Sequence, residues 1–434
     1  MRLAATRFVP AFVLSLCALV ITAIVAAPGA LAARSARLGQ PTTGDNDSAQ
    51  GACQQRQLPP PPIDTSEEPA PGSPSPEPLP VPEDPVGGSR MGECGLVQPE
   101  GGEAPPAVTA ATWVISDLDS GAVLAAKDPH ARERPASLIK VLLAIVAIRE
   151  LRPETVVTGT QEDANQEGTR VGVGPGGQYT VDQLLHALVM RSGNDAAYAL
   201  ARTLGGPEVA LEKMNALADE LGALDTRAAT PSGLDAPGMM TSAYDQSLIF
   251  RAAMKHEEFA AAARTRKIDF PGYGGKPGFQ VNNDNKLLGS YEGFLGGKTG
   301  FTDDSRHTYV GAAERDGRKL AVVLLRGERN PAPLGEQGAD LLDYGFRLAE
   351  AEVKPVGELV NQSPEAQPKQ DPNQGDTIRR PVEDKAAAAA ESERSAFGNV
   401  GLPLVALAGV AVLVTFAMWL RRRKARAARV NRAG

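Results

Sequence analysis

Two residues whose side chains could take part in a reaction, Ser137 and Lys140, lie three positions apart. They directly precede the apolar run VLLAIVAI. Residues at this spacing share one face of a helix, so the two side chains are expected to be neighbours. A serine hydroxyl is a poor nucleophile until a base takes its proton, and lysine is a base only when its pKa is lowered. Burial and a helix N-terminus both lower it. The spacing fits a nucleophile with its base, and it also fits a capping serine beside a lysine whose stem covers apolar surface.

Two further short motifs each occur once in the chain. S-G-N, residues 192–194, lies between two amphipathic stretches predicted to be helices, where a loop can direct side chains into a cleft. K-T-G, residues 298–300, lies at the start of a predicted edge strand. Alone, each motif is also explained as a loop or the start of a strand. Their joint occurrence in the order S-x-x-K, S-x-N, K-T-G, separated by 55 and 106 residues, indicates one shared site.

This ordered set resembles the signature of penicillin-binding proteins and serine β-lactamases. The stretches RPASLIKVLLA, MRSGNDAAYALA, SGLDAPGMMTSAYD and GGKTGFTDD are most similar to the low-molecular-weight D-alanyl-D-alanine carboxypeptidases of peptidase family S11. The resemblance covers most of residues 110–350. It implies an α/β (α+β) fold of the transpeptidase/β-lactamase type, with a five-stranded antiparallel sheet flanked by helices plus a helical lobe. It also implies an enzyme that removes the terminal D-alanine from peptidoglycan stem peptides and that β-lactams inhibit.

The resemblance implies three catalytic residues. Ser137 is expected to attack the carbonyl between the two D-alanines and form an acyl-enzyme, while Lys140 takes its proton. Ser192 is expected to relay a proton to the leaving amine. The backbone N–H groups of Ser137 and Phe301 are expected to form the oxyanion hole.

The resemblance implies that substrate is held by the second and third motifs. Asn194 is expected to hold the peptide backbone and Lys140, and Lys298 with Thr299 to bind the terminal carboxylate. Similar enzymes use an arginine on the following strand for the carboxylate, and Arg329 is the first candidate, ahead of Arg326. The predicted substrate-binding residues are Asn194, Lys298, Thr299, Gly300, Phe301 and Thr302.

Three alternative functions stay open from the sequence. A β-lactamase needs a positioned glutamate to activate water, and Glu212 with Asn215 stands near such a pattern but with the wrong spacing. S-G-N in place of S-D-N also favours the carboxypeptidase. The other two alternative functions are a D,D-endopeptidase and a cell-wall-binding module that keeps the fold without turnover. No metal or other cofactor is expected, because the four histidines form no zinc-binding pattern.

The elements that must position these motifs are readable from apolar periodicity. ATWVISDLDSGAVLAAKD predicts a hairpin turning at residues 119–121, and HTYVGAAERDGRKLAVVLLRG predicts another turning at residues 316–317. Amphipathic helices lie between the two hairpins. Strands at both ends of residues 106–352 therefore predict one catalytic domain whose first and last strands lie close together.

Both ends of the chain carry long apolar segments. Arginines followed by an apolar run and an A-x-A site predict a secretory signal peptide. The uncharged stretch VGLPLVALAGVAVLVTFAMWL is long enough to span the roughly 30 Å bilayer core, and the basic tail after it is predicted to be cytoplasmic. The predicted segments are residues 1–32 (signal peptide), 33–105 (Pro-rich, disordered or extended), 106–352 (catalytic domain), 353–399 (disordered tether), 400–420 (transmembrane helix) and 421–434 (basic cytoplasmic tail).

The charge distribution argues against nucleic-acid binding by the body of the protein. The 434 residues carry a net charge of −7, while the final 14 residues contain seven basic and no acidic side chains, which leaves −14 for the rest. The expected partners are therefore stem peptides, β-lactams and the cytoplasmic membrane. Cys53 and Cys94 are expected to form a disulfide in an exported protein, with two unpaired thiols as the alternative. Oligomeric state is not predicted.

Overall fold

The structure is a computed structural model that describes residues 55–363. Residues 55–218 and 223–359 belong to one compact unit. Residues 219–222 and 360–363 belong to a second, in which the Ser363 N–H donates to the Glu220 carbonyl. The strands are β1 Leu96–Val97, β2 Thr112–Asp117, β3 Ala122–Lys127, β4 Val156–Thr158, β5 Gln178–Thr180, β6 Lys267–Phe270, β7 Phe279–Asn282, β8 Phe294–Thr302, β9 Arg306–Arg315, β10 Arg318–Gly327 and β11 Gly357–Glu358.

Helices fill most of the sequence between the two predicted hairpins. The α-helices are α1 Lys140–Glu150, α2 Gln161–Ala164, α3 Val181–Arg191, α4 Asn194–Thr203, α5 Pro207–Leu221, α6 Ala243–Met254, α7 Glu257–Arg264 and α8 Leu334–Glu350. Short 3₁₀ helices span Ser89–Gly92 and Ala136–Ile139.

The main sheet is antiparallel and has the strand order β1-β3-β2-β10-β9-β8, with β11 also paired to β3. Its five long strands form the predicted five-stranded sheet, and the two-residue strands β1 and β11 bring the total to seven. Both predicted hairpins are confirmed as β2–β3 and β9–β10. The predicted proximity of strands from both ends of the domain is confirmed, because β2 pairs directly with β10 and both are largely buried.

Helices cover the sheet and build a second lobe. α8 packs its apolar face on β2, β9 and β10, and α6 also packs on β2 and β10, which are buried along their length. α1 packs against α3, α4, α6 and α7. Residues 140–147 of α1 are all buried, which explains why this helix is apolar around its whole circumference.

Part of the proline-rich segment, which was predicted to be disordered or extended, is attached to the catalytic domain. Residues 55–86, here called the strap, contain no helix or strand, yet they lie against the catalytic body. Arg132 is completely buried and donates to three strap carbonyls, those of Gln57, Leu79 and Pro80. A proline-rich chain leaves its carbonyls without ladder partners, and buried guanidinium groups supply donors to them. These hydrogen bonds hold the strap against the catalytic body.

The predicted tether also begins later than residue 353. Val356 and Leu359 are buried, and β11 pairs with β3. Among residues 55–363, no helix has the length and apolar character needed to cross a bilayer. The predicted signal peptide (1–32), transmembrane helix (400–420) and basic tail (421–434) lie outside the described residues. Cys94 is disulfide-bonded, and its predicted partner, Cys53, also lies outside them.

Candidate active site

The predicted nucleophile lies on a strained turn. Ser137 is in the 3₁₀ helix Ala136–Ile139, which continues directly into α1, and Ala136 has a φ of +47°. A left-handed alanine costs free energy and persists only where its surroundings hold it. Thr308 on β9 donates to the Pro135 carbonyl at 3.0 Å. On the other side, Gly233 approaches so closely that a Cβ there would lie 1.9 Å from the Ala136 carbonyl oxygen. Residues 134–137 are called the nucleophile turn below.

Lys140 directs its amine at Ser137. Its Nζ lies 2.9 Å from Ser137 Oγ and 2.7 Å from Asn194 Oδ1, and it also contacts the Ser232 carbonyl. The orientation of the Asn194 amide is fixed because its Nδ2 donates to the Glu167 carbonyl. A neutral amine has two N–H groups and one lone pair. The two partners that can only accept occupy both N–H groups, so the lone pair faces the serine hydroxyl.

The environment lowers the pKa of that amine and so favours its neutral form. Lys140 is 1 % exposed, and burial lowers its pKa well below the usual value. The positive charge of Lys298 lowers the pKa of Lys140 further, and the carboxylate of Asp195 opposes both effects. The prediction of a base activated by an apolar helix therefore has its physical basis in this site.

The second motif connects two helices of the lobe. α3 ends at Arg191, and Ser192 caps it in the left-handed conformation with a φ of +61°. Asn194 then begins α4, where it is almost fully buried. This sharp reversal brings Ser192 to the cleft that Ser137 also lines, while the Asn194 side chain reaches Lys140.

Asp195 is a structural residue that the sequence did not reveal. Its carboxylate accepts hydrogen bonds from the backbone N–H groups of Val171, Gly172 and Val173. These bonds fix the loop that carries Thr169 into the cleft. An aspartate in the first turn of a helix is so common that its presence after S-G-N gave no signal.

The third motif lies on β8, the edge strand of the sheet. Thr299, Gly300 and Phe301 line the cleft opposite Ser137. A Cβ on Gly300 would lie 2.4 Å from Thr308 Oγ1 and 2.9 Å from the Ser137 backbone nitrogen. Only glycine lets β8 approach the nucleophile turn this closely.

Lys298 supplies the charge of this wall. It is 2 % exposed, and its Nζ donates to the Thr299 carbonyl at 2.5 Å. Burial lowers the pKa of Lys298 to about 7, although Asp284 opposes that effect. In the empty cleft, the Lys298 side chain is therefore mostly protonated only below neutral pH. An anion that enters the cleft would raise the pKa of Lys298 and so favour its charged form.

Thr302 is not among the cleft-lining residues and has partners of its own. Its Oγ1 lies 2.9 Å from Asp235 Oδ1 and accepts from the Ser305 N–H. Burial, reinforced by nearby Asp304 and Glu67, raises the pKa of Asp235 to about 6 despite the hydrogen bond from Thr302. Thr302 therefore joins the end of β8 to the loop of Asp235, and its predicted place at the substrate stays a prediction.

The cleft between these walls has a volume of about 380 Å³. Arg329, the first candidate for an accessory carboxylate contact, lines it. Arg326 instead pairs with the buried Glu133. The cleft is further lined by Asp284, Asn285, Lys286, Leu287, His307, Thr308, Tyr309 and residues 333–336 at the start of α8.

His130 lies in a group of acidic residues that could hold a metal ion, but both of its ring nitrogens already have partners. His130 faces Asp225 through Nδ1 at 2.7 Å and the Val86 carbonyl through Nε2 at 2.9 Å. Burial would lower the pKa of His130, but the hydrogen bond and charge of Asp225 outweigh it and raise that pKa. The Asp225 carboxylate and the Val86 carbonyl thus occupy both ring nitrogens of His130.

Comparison with known proteins agrees with this arrangement. The family model described as D-alanyl-D-alanine carboxypeptidase, peptidase S11, matches residues 100–329, which contain all three motifs. The chain belongs to peptidase family S11. It is a low-molecular-weight penicillin-binding protein of that family.

Several relatives in family S11 are close over the catalytic domain. D-alanyl-D-alanine carboxypeptidase DacB2 of Mycobacterium tuberculosis is 46% identical over 257 residues, which are 58% of this chain and 87% of that protein. DacA of Escherichia coli is 30% identical over 265 residues, 58% of this chain and 64% of that protein. The match thus leaves about a third of DacA unmatched, and less of DacB2.

Solved structures of the same fold extend the comparison. A crystal structure of a penicillin-binding protein homologue of Mycobacterium tuberculosis is 44% identical with a TM-score of 0.58, and the match covers 61% of this chain and 100% of that one. A DD-transpeptidase of Streptomyces K15 is 27% identical with a TM-score of 0.53, covering 56% and 99%. The transpeptidase-type fold predicted from the sequence is confirmed.

Proposed function

We propose that the protein is a serine-type D-Ala-D-Ala carboxypeptidase that removes the terminal D-alanine from peptidoglycan stem peptides. The observation that carries the proposal is the buried amine of Lys140, whose Nζ lies 2.9 Å from the Ser137 hydroxyl. Membership of family S11 supports the same reaction, since several relatives are named for it. The enzyme needs no metal or cofactor in this scheme.

Acylation begins with Ser137. Its Oγ attacks the carbonyl carbon of the penultimate D-alanine while Lys140 Nζ accepts the hydroxyl proton. The carbonyl oxygen becomes an oxyanion, for which the backbone N–H groups of Ser137 and Phe301 are the proposed donors. The close approach of β8 to the nucleophile turn at Gly300 favours this pairing, because it brings the two backbones together.

Collapse of the intermediate breaks the bond to the terminal D-alanine. The proton held by Lys140 passes through Ser192 to the leaving nitrogen, so that the product leaves as a neutral amine. Ser137 remains as an ester. Water then attacks the ester, and Ser137 regains its proton as the shortened peptide departs.

The terminal carboxylate is proposed to bind at Lys298, Thr299 and Arg329. Lys298 has a lowered pKa in the empty cleft, and an arriving carboxylate stabilises its charged form. β-Lactams carry an amide carbonyl and a carboxylate at a similar separation. They are therefore proposed to enter the same cleft and to acylate Ser137.

A β-lactamase is the closest competing function. Fast hydrolysis of a penicilloyl ester needs a glutamate that activates water. Glu212 and Asn215 lie on α5, and neither is among the residues that line the cleft. The side chain of Asn215 is occupied by the backbone of Ala228, accepting from its N–H at 2.8 Å and donating to its carbonyl at 3.0 Å.

The deciding experiment measures D-alanine loss from a purified muramyl pentapeptide by mass spectrometry, with and without penicillin. Release by the wild type, blocked by penicillin and absent in Ser137→Ala, supports the proposal. Rapid turnover of a chromogenic cephalosporin without D-alanine release would instead make the protein a β-lactamase. Cleavage of a cross-linked dimer alone would make it an endopeptidase, and failure of a fluorescent penicillin to label Ser137 would leave only a binding module.

We also propose that the catalytic domain lies outside the cytoplasm, anchored by residues 400–420. The charge-free 21-residue segment, the basic residues after it and the signal-like N-terminus all support this orientation. The disulfide at Cys94 suits an oxidising compartment. Protease treatment of intact spheroplasts tests it: the catalytic domain should be released while a tag on the C-terminus stays protected.

A further inference from the structure

The strap reaches the active site through Arg134. This residue lies three positions before the nucleophile and is 3 % exposed. Its guanidinium binds the Glu67 carboxylate through two nitrogens, with Nη2 at 2.7 Å from Oε2, and donates to the Pro60 carbonyl at 2.8 Å. A forked guanidinium–carboxylate pair is strong and directional, so the strap fixes where the nucleophile turn begins.

The same part of the strap reaches the opposite wall of the site. The Ile63 N–H donates to Asp304 Oδ1 at 2.6 Å, and the Ser66 hydroxyl lies 3.4 Å from Asp304 Oδ2. Asp304 lies in the turn between β8 and β9, two residues after Thr302. Pro60 and Glu67 therefore bind the nucleophile turn, while Ile63 and Ser66 between them bind the turn that follows the K-T-G strand.

This bridge lies outside the part of the chain that defines the family. The S11 match begins at residue 100, whereas the bridge is formed by residues 60–67. Its two anchors, Arg134 and Asp304, lie inside the match. Residues outside the family match thus connect two walls of the cleft that lie within it.

We propose that residues 60–67 of the strap are a positioning element for the reaction at Ser137. By joining the nucleophile turn to the end of β8, they set the separation of the Ser137 and Phe301 N–H groups that receive the oxyanion. This inference rests on the proposed carboxypeptidase function. None of the strap residues lines the cleft, so the effect acts through the geometry of the two walls rather than through contact with substrate.

The test compares Glu67→Gln with Glu68→Gln in the full-length protein. Glu67→Gln removes the charge that pairs with Arg134, whereas Glu68 is the exposed neighbour and serves as the matched control. Because small misplacements of catalytic groups cost large factors in rate, Glu67→Gln should lower kcat and the rate of acylation by a fluorescent penicillin by about tenfold. KM should stay within about twofold, and Glu68→Gln should behave as the wild type.

Two further measurements separate positioning from folding. The amplitude of penicillin labelling counts competent sites, and it should stay unchanged in Glu67→Gln while the rate falls. Glu67→Asp, which keeps the charge, should recover part of the rate. Asp304→Asn should slow acylation as well, and its combination with Glu67→Gln should cost less than the product of the single effects, because both act through one bridge.

The inference fails if Glu67→Gln is acylated as fast as Glu68→Gln, or if its loss of rate equals its loss of labelling amplitude. Either result would make the strap a purely structural addition. A wild type that acylates with penicillin but releases no D-alanine would overturn the proposed function alone. The acylation rates of the variants would still decide the role of the strap.

Discussion

Replacing Gly300 with alanine tests the closest contact in the active site. The new Cβ would lie 2.4 Å from Thr308 Oγ1, 2.9 Å from the Ser137 nitrogen and 3.1 Å from the Ala136 Cβ, where ordinary contact begins at 3.4 Å. Thr308 cannot simply rotate away, because its hydroxyl donates to the Pro135 carbonyl at 3.0 Å and so holds the nucleophile turn. Either β8 moves outward by about 1 Å, or that hydrogen bond breaks.

The size of the effect follows from this displacement. A shift of about 1 Å between the nucleophile and the oxyanion donors lowers reaction rates on the order of a hundredfold. Overpacking of this kind also costs about 1–3 kcal/mol in the free energy of unfolding. We therefore expect Gly300→Ala to fold with a lower melting temperature and to be acylated by a fluorescent penicillin about a hundredfold more slowly.

The assay is the second-order rate of Ser137 labelling, measured beside thermal unfolding. Gly317→Ala is the control, since Gly317 has a φ of +75° with open space around it. It should cost about 1–2 kcal/mol of stability and leave the labelling rate unchanged. Adding Thr308→Ala to Gly300→Ala removes the worst contact and should restore part of the rate. Labelling of Gly300→Ala at the wild-type rate with the wild-type melting temperature would refute the reasoning.

Three other predictions follow from the charges around the site. The acylation rate should fall as pH drops through the lowered pKa of Lys140, because protonation removes the lone pair that serves as base. Lys298→Gln should move this fall in rate to higher pH, since the Lys298 charge helps to lower the pKa of Lys140. KM for a carboxylate substrate should rise above pH of about 7, where Lys298 loses its proton, while KM for the methyl ester should change little. Asp195→Asn should lower the free energy of unfolding by about 2 kcal/mol in urea titrations, because one amide oxygen cannot accept all the N–H groups that the carboxylate holds.

Much of the fold was readable because its signals are local. Both hairpins carry turn residues between apolar runs, and α1 was marked by an uninterrupted apolar stretch. The pairing of β2 with β10 followed from the placement of strands at both ends of the domain. The strands β1 and β11 were missed because two-residue strands have no periodicity to detect.

The catalytic residues were readable as types and spacings, but their geometry was not. S-x-x-K predicted that Ser137 and Lys140 face each other, since three residues on a helical turn determine that contact. The carbonyl of Ser232, which completes the surroundings of Lys140, comes from 92 residues away and belongs to a backbone group that every residue has. The contact of Thr302 with Asp235 could not be predicted either, because the two residues are 67 positions apart in the sequence.

The attachment of the strap was not predicted for a related reason. Its composition indicated only a Pro-rich, disordered or extended segment. The attachment comes largely from Arg132 and Arg134, which no sequence pattern marked as buried. Buried charges whose partners are backbone carbonyls leave no compositional trace.

The position of β11 has a mechanical consequence. β11 pairs with β3 on one margin of the sheet, and four strands separate it from β8, which carries K-T-G on the opposite margin. Glu358 of β11 also donates its N–H to the carbonyl of Gly87, the residue directly after the strap. A load applied at Ser363 would therefore first meet the Ser363–Glu220 hydrogen bond and then the two residue pairs of β11. Such a load would reach the K-T-G strand only through the four intervening strands of the sheet.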